Sequence, residues 1–448
     1  MAQATMFFPS DFLWGTATSA HQVEGNNVNN DWWQWEGGAG NIINGGRSGR
    51  ANDWWENAEA DLEAAAEMGN NAHRLSVEWS RIEPEPSVFD EEALERYRQL
   101  LKAMHERDIE PMVTLHHFTN PVWLAKKGDF DNELVVDYFQ RYVAKVVSSL
   151  GDLVPKWISI NEPMVYFVMR YLEKSFPAPV ETGWFAGLRA LRHMLACHAL
   201  AYQRIKESYP MAQVGIAKHY RPIEAWSPNN RLDRWWAGRV SSFFNDLWLD
   251  SLVSGRLSWP LGRSAIKHLA GSFDFVGLNY YSRSLVRFPP RPGHLYETRP
   301  TAGVIMTDDD FFEIYPAGLF AAIKAAMRYR KPIIITEHGL PDRGDRLRPS
   351  FILTHLREVW RAISFSFPVM GYYHWTLVDN FEWERGWSQR FGLIDMDPHT
   401  QQREWRPSAK LYREICHSNG ISSDMARRYA PELLETMFPG QAPTGSGL

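Results

Sequence analysis

Cysteine is almost missing: Cys197 and Cys416 are the only two in 448 residues. So few thiols exclude a disulfide framework and a zinc site built on cysteine, and they suit a reducing cytoplasm. No stretch reaches the roughly 20 apolar residues that a membrane-crossing helix needs. Positive charges are scattered and the formal net charge is −5, which leaves no basic footprint for nucleic acid. The opening MAQATMFFPSDFLWG lacks a basic segment leading into an apolar one. No secretory leader is read there, and a cytoplasmic location is expected. A glycine-rich phosphate turn after the first strand-like run is also wanting, since GTATSAHQVEGN is not one. That argues against a doubly wound nucleotide-binding sheet.

Aromatic residues, by contrast, are plentiful at 14%, with 20 Trp. Several of these Trp stand in polar, loop-like stretches, such as NDWWQWEGG at 30–38 and FEWERGW at 381–387. An indole among Asp, Glu, Gln and Gly offers a flat face and an N–H to a ligand. Sugars are the ligands that need both. The remaining Trp are expected to fill a large core.

Short β-rich runs recur with helix-sized gaps. They fall at 12–18, 73–79, 112–117, 156–161, 213–218, 273–279, 332–337 and 369–375. Between them lie stretches such as 55–69 and 90–108, where apolar residues return every three or four positions, as in an amphipathic helix. Eight alternations with no break in composition predict an α/β fold, a single (β/α)8 TIM barrel with elaborated βα loops. It would occupy residues 1–438, with a small, polar, disordered tail at 439–448.

Many of these runs end in polar or aromatic groups. Ser19, His21 and Gln22 follow the first, His116 and His117 end the third, and Asn161 and Glu162 the fourth. Asn279 and Tyr281 close the sixth, Glu337 the seventh and Trp375 the eighth. In a barrel those ends share one face, where barrel enzymes keep their chemistry.

Glu162 and Glu337 stand 175 positions apart in sequence, yet strands four and seven would bring them together over one pocket. Paired carboxyls suggest glycoside hydrolysis, aspartic-protease-like chemistry or a metal site. Adjacent His116 and His117 point to opposite faces of a strand and cannot share an ion, so no metal is expected. Hydrolysis needs no cofactor either. It does need one carboxyl protonated and the other ionised. Apolar neighbours and Asn161 suit a raised pKa at Glu162, while Tyr281 and Arg74 would keep Glu337 ionised.

Five stretches then closely resemble the signatures of family-1 glycoside hydrolases, the β-glucosidase family, in that family's order. They are FLWGTATSAHQVEG (12–25), ISINEP (158–163), GLNYYS (277–282), ITEHG (335–339) and DNFEWERGWSQRFGLI (379–394). The resemblance implies a retaining β-glycosidase with Glu162 as acid/base and Glu337 as nucleophile. It implies that Gln22, His117, Asn161 and Glu382 ring the non-reducing sugar, with Trp375 as the platform beneath it and Trp383 as an indole donor. Tyr281 would orient Glu337, Arg74 would stand beside it, and Asn279 would line the pocket.

Three positions depart from the family pattern. Phe118 replaces the usual Trp, His338 makes TENG into TEHG and is expected to face the loop, and Glu78 is expected to be ion-paired. The branch that takes 6-phosphorylated sugars typically has Ser, Lys and Tyr where this chain has Glu382, Gln389 and Phe391. A carboxylate there repels phosphate. The implied substrates are small β-glycosides: cello-oligosaccharides and aryl or alkyl glucosides, with galactosyl and fucosyl residues as alternatives. A sugar-binding barrel without chemistry and a transglycosidase remain the rival readings.

Overall fold

In the computed structural model, which describes residues 4–291 and 303–440, eight parallel strands close into a barrel. They are β1 (Leu13–Ala17), β2 (Ala72–Ser76), β3 (Glu110–Thr114), β4 (Lys156–Asn161), β5 (Gln213–His219), β6 (Phe275–Asn279), β7 (Ile333–His338) and β8 (Val369–Trp375). Neighbours follow chain order, and β8 closes onto β1 through pairs such as Trp375 with Ala17. All residues of β2, β6 and β7 are buried, as parallel strands covered on both faces must be. All eight expected runs are present. The second ends earlier than its β-rich composition predicts, because Glu78 caps the short helix Trp79–Ile82, accepting from Ser80 N–H.

The connecting helices form for ordinary reasons. Glu91–His105 starts at Asp90, whose carboxylate accepts from Ala93 N–H at 2.9 Å. Acidic Glu91 and Glu92 open it, Lys102 and His105 close it, and Leu94, Tyr97, Leu101 and Met104 are buried. Cap, dipole and apolar stripe therefore agree. Among the described residues no helix is long and apolar enough to cross a membrane.

Composition did not foretell the small ribbons. Thr5–Phe7 pairs with Gly420–Ser422, Ile223–Ala225 with Ser284–Val286, and Ile394–Met396 with Arg403–Trp405. The stretch read as a loop at 30–38 contains the helix Asp31–Glu36, capped by Asn30. Its Trp32 is buried against Phe176 and Trp383 rather than offered to a ligand. The expected tail lies outside the described residues from 441 onward, as does 292–297 of the loop after β6.

Three loops around the barrel mouth meet at one cation. Arg170, after β4, donates to Asp31 after β1 at 2.7 Å and pairs with Asp129 after β3. Asp31 also accepts from the Asn120 N–H at 2.9 Å. All three charged groups are buried. Replacing Arg170 with Met leaves two carboxylates without their counter-charge. The variant is expected to lose about 3–5 kcal/mol of stability, measured by urea unfolding beside the parent; a loss below about 1 kcal/mol would show that the cation does not join these loops.

Candidate active site

The C-terminal ends of the strands surround a cavity of about 400 Å³. His117, Asn161, Glu162, Tyr281, Glu337, Trp375, Glu382 and Trp383 line it. Gln22, Asn279 and Arg74 do not reach its wall but hold residues that do. Gln22 donates to Glu382 at 3.0 Å, Asn279 to Glu162 at 2.7 Å, and Arg74 pairs with Glu337. Every expected position thus belongs to one cluster, in two layers.

Backbone geometry shapes the turn out of β4. Glu162 has φ 45°, in the left-handed region, and Pro163 follows at the first position of the helix Pro163–Phe167. Proline's fixed φ suits a helix start, so the strand ends by turning the Glu162 carboxyl to the cavity. Phe118 and Trp383, with φ 70° and 46°, share this conformation on the same wall. Strained non-glycine residues of this kind gather at functional sites. Gly339 has a steric reason: a Cβ there would lie 1.8 Å from the Trp375 carbonyl oxygen. Only glycine lets the ends of β7 and β8 approach so closely.

Hydrogen bonds join the two carboxyls through three side chains. Arg74 donates to Asn161 Oδ1 at 2.8 Å and to Glu337 Oε1. Asn279 Nδ2 donates to Glu162 Oε1 and, at 3.1 Å, to Asn161 Oδ1, while Thr336 Oγ1 donates to Asn279 Oδ1 at 2.7 Å. Tyr281 OH donates to Glu337 Oε2 at 2.8 Å. Asn161 Nδ2 lies 3.1 Å from His117 Nε2.

Titration differs from the expectation based on sequence. Burial and the Glu162 charge push Glu337 up to about 7, against the opposing pull of Arg74 and Tyr281. Burial pushes Glu162 up, while hydrogen bonds from His219 and Asn279 and the Arg74 charge pull it down. His219, which sequence reasoning missed, acts here through a hydrogen bond. Burial holds its imidazole below the ordinary value, which speaks against an ion pair. Arg221 Nε donates to His219 Nε2 at 3.3 Å, which settles the matter: the imidazole is neutral, and its 3.2 Å contact with Glu162 is a hydrogen bond. The signal was available in the sequence, because the polar pair Lys218–His219 ends β5 as other polar groups end their strands. Burial and Glu384 push Glu382 up to about 8, against Gln22 and Trp375.

The departures resolve individually. Phe118 packs edge-on against Trp383 and Phe176, supplying apolar support where an indole would have supplied a donor. Glu78 is held by hydroxyls, those of Ser80 at 2.6 Å and Thr119 at 2.9 Å, rather than by a cation. His338 does not face the loop. It is buried, stacked on Phe351 at 4.4 Å and bonded to Tyr372 OH at 2.8 Å, in the layer between barrel and helix Arg348–Ser364. His116 faces Asn120, Phe130 and Tyr166 and is absent from the cavity wall lined by His117. Among the described residues no three or more His, Cys, Asp or Glu are grouped to hold a metal ion.

Comparison with known proteins gives a consistent picture. The model of the family described as Glycosyl hydrolase family 1 matches residues 4–421. A beta-galactosidase of Pyrococcus woesei is 32% identical over 93% of this chain and 98% of its own. Beta-glucosidase A of Thermotoga maritima is 30% identical over 92% and 98%. Among solved structures, a beta-glycosidase from Pyrococcus horikoshii superposes with TM-score 0.88 at 36% identity, covering 95% of this chain and 98% of that one. A beta-glucosidase from Thermotoga maritima in complex with glucoimidazole gives 0.85 at 30% identity, covering 93% and 100%.

Since His338 touches the helix layer and not the cavity, His338→Asn is expected to lower stability by about 1–3 kcal/mol. The pH profile of activity on an aryl β-glycoside should stay where it is. A moved profile would place the imidazole in electrical contact with Glu337.

Proposed function

Because the chain belongs to glycosyl hydrolase family 1, we propose that it is a retaining β-glycosidase that cleaves terminal, non-reducing β-glucosyl residues. Residues 1–438 act as one catalytic unit. Galactosyl and fucosyl residues are further substrates, and the leaving groups are aryl or alkyl alcohols and short cello-oligosaccharides. One observation carries the reading: Glu162 and Glu337, from strands three places apart around the barrel, line a single sugar-sized cavity.

The chemistry follows from that arrangement. Glu337 attacks the anomeric carbon and forms an ester bond to it. The glycosidic C–O bond breaks as Glu162 gives its proton to the leaving oxygen. Water then attacks the same carbon, Glu162 takes its proton, and Glu337 is released as carboxylate. A separation of roughly 5–5.5 Å between the carboxyls suits this double displacement. Arg74 and Tyr281 hold Glu337 in place and stabilise it once ionised.

Near neutrality the buried pair keeps one proton, because two carboxylates served by one adjacent guanidinium repel each other. In the empty site that proton favours Glu337. A glycosidic oxygen set against Glu162 accepts a hydrogen bond and draws the proton there, which frees Glu337 to attack. The sugar itself is held by His117, Asn161 and Glu382, with Gln22 and Asn279 behind them, over Trp375 and beside Trp383. Glu382 at about 8 is mostly protonated at neutral pH and can donate to a hydroxyl. No cofactor takes part. Free, buried Cys197 and Cys416 support a cytoplasmic location.

Glu337→Gly should abolish turnover of an aryl β-glucoside while leaving circular dichroism unchanged; near-parental turnover would refute the assignment. Glu162→Gln should slow an alkyl β-glucoside by about 10²–10⁴-fold and slow the first step on a dinitrophenyl β-glucoside, whose leaving group needs no proton, far less. Activity should fall as pH rises through about 7, where the shared proton is lost. A plateau extending well above that pH in kcat/KM would contradict the shared-proton account.

A further inference from the structure

The mechanism above gives no part to His219, the last residue of β5, or to Arg221, both on the cavity wall. Arg221 is fixed on several sides. Its N–H donates to Asn245 Oδ1 at 3.0 Å, its carbonyl accepts from Asn245 Nδ2 at 2.8 Å, and its Nη1 donates to Ser284 Oγ at 2.9 Å. Its Nε meets His219 Nε2, and His219 Nδ1 meets Glu162 Oε1. A guanidinium only donates, so Nε2 must accept and the imidazole proton must sit on Nδ1, aimed at Glu162. A second proton on Nε2 would face the guanidinium directly. The ring is also held by stacking on Tyr281 at 5.8 Å and by the edge contact with Phe244 at 5.9 Å.

We propose that His219, its tautomer fixed by Arg221, is a positioning residue that orients the Glu162 carboxyl and sets the pH above which Glu162 stops donating a proton. The proposal rests on the reading of Glu162 as the acid/base. His219 Nδ1 and Asn279 Nδ2 both address Oε1 of Glu162. Oε2 is then the oxygen that carries the proton to the leaving group. Two donors on one carboxyl oxygen favour the ionised form, which makes Glu162 a stronger acid and a weaker base.

The other polar and charged groups facing this pair stay constant when His219 alone is changed. They are Arg74 from β2, Lys218 from β5, Asn279 from β6, Tyr281 beyond it and Glu337 from β7, with Asp246 behind Lys218. A change in pH dependence is therefore read against a fixed background.

The test compares kcat/KM against pH for an alkyl β-glucoside and a 2,4-dinitrophenyl β-glucoside. His219→Leu removes the donor and should move the alkaline limb for the alkyl substrate up by about half to one pH unit. It should not move the limb for the dinitrophenyl substrate. His219→Asn keeps an N–H near the place of Nδ1 and should hold the limb close to that of the parent. In nitrogen-15 imidazole spectra the parent His219 should show Nδ1 protonated and Nε2 bare, and Arg221→Leu should let Nε2 take a proton on acidification at a pH where the parent's stays bare. An unmoved limb in His219→Leu, an equal movement in His219→Asn, or a proton on Nε2 in the parent overturns the proposal alone. Glu162→Gln slowing both substrates alike would instead remove the acid assignment, and the proposal with it.

Discussion

A guanidinium withdrawn from water sits at the throat of the barrel. Arg74 is fully buried on β2, and its N–H groups reach Thr114 Oγ1 at 2.9 Å, the Thr336 carbonyl at 3.4 Å, Asn161 Oδ1 and Glu337. A cation in that position is stable only if its partners converge on it, and they come from β3, β4 and β7. Two of them, Asn161 and Glu337, also line the cavity. Compensation of one buried charge and assembly of the site are therefore a single structural requirement. It also explains why the two carboxyls stay electrically linked: Asn161 takes its bond from Arg74 and stands next in sequence to Glu162.

Much of this was legible because the relevant features are local or periodic. Parallel strands buried on both faces read as apolar runs, and β4 and β8 end at the residues expected. Most of the polar groups that end those runs joined one cluster, His116 being an exception that faces Asn120. What escaped depends on distant pairing. The ribbon between Thr5–Phe7 and Gly420–Ser422 joins segments more than 400 residues apart, and neither is distinctive by composition. Asp31–Glu36 looked like a loop because its many Trp obscure the helical stripe; only Asn30 signalled a cap. The titration of Glu162 escaped for another reason. One donor to its carboxyl is a ring on β5 that lies 57 positions away and comes close only when the barrel closes.

The cavity is rich in carboxyls. Glu173, Asp309, Asp310 and Glu384 line it outside the pair and Glu382, against Arg221 and Arg385. Burial pushes Glu384 up to about 7, so part of this acidity is masked near neutrality. Apolar Val165, Met169, Phe176, Phe311 and Phe312 lie among these groups. The outer cavity thus offers apolar surface under a net negative field, which repels anions.

The Arg170 contacts have a consequence for recombination between related proteins. The segments after β1, β3 and β4 meet at one side chain, although Asp31 and Arg170 are 139 positions apart. A chimera that exchanges one of these segments alone inherits a mismatched set of buried ions. The three must be transplanted together, as one block, for a borrowed rim to sit properly on this scaffold.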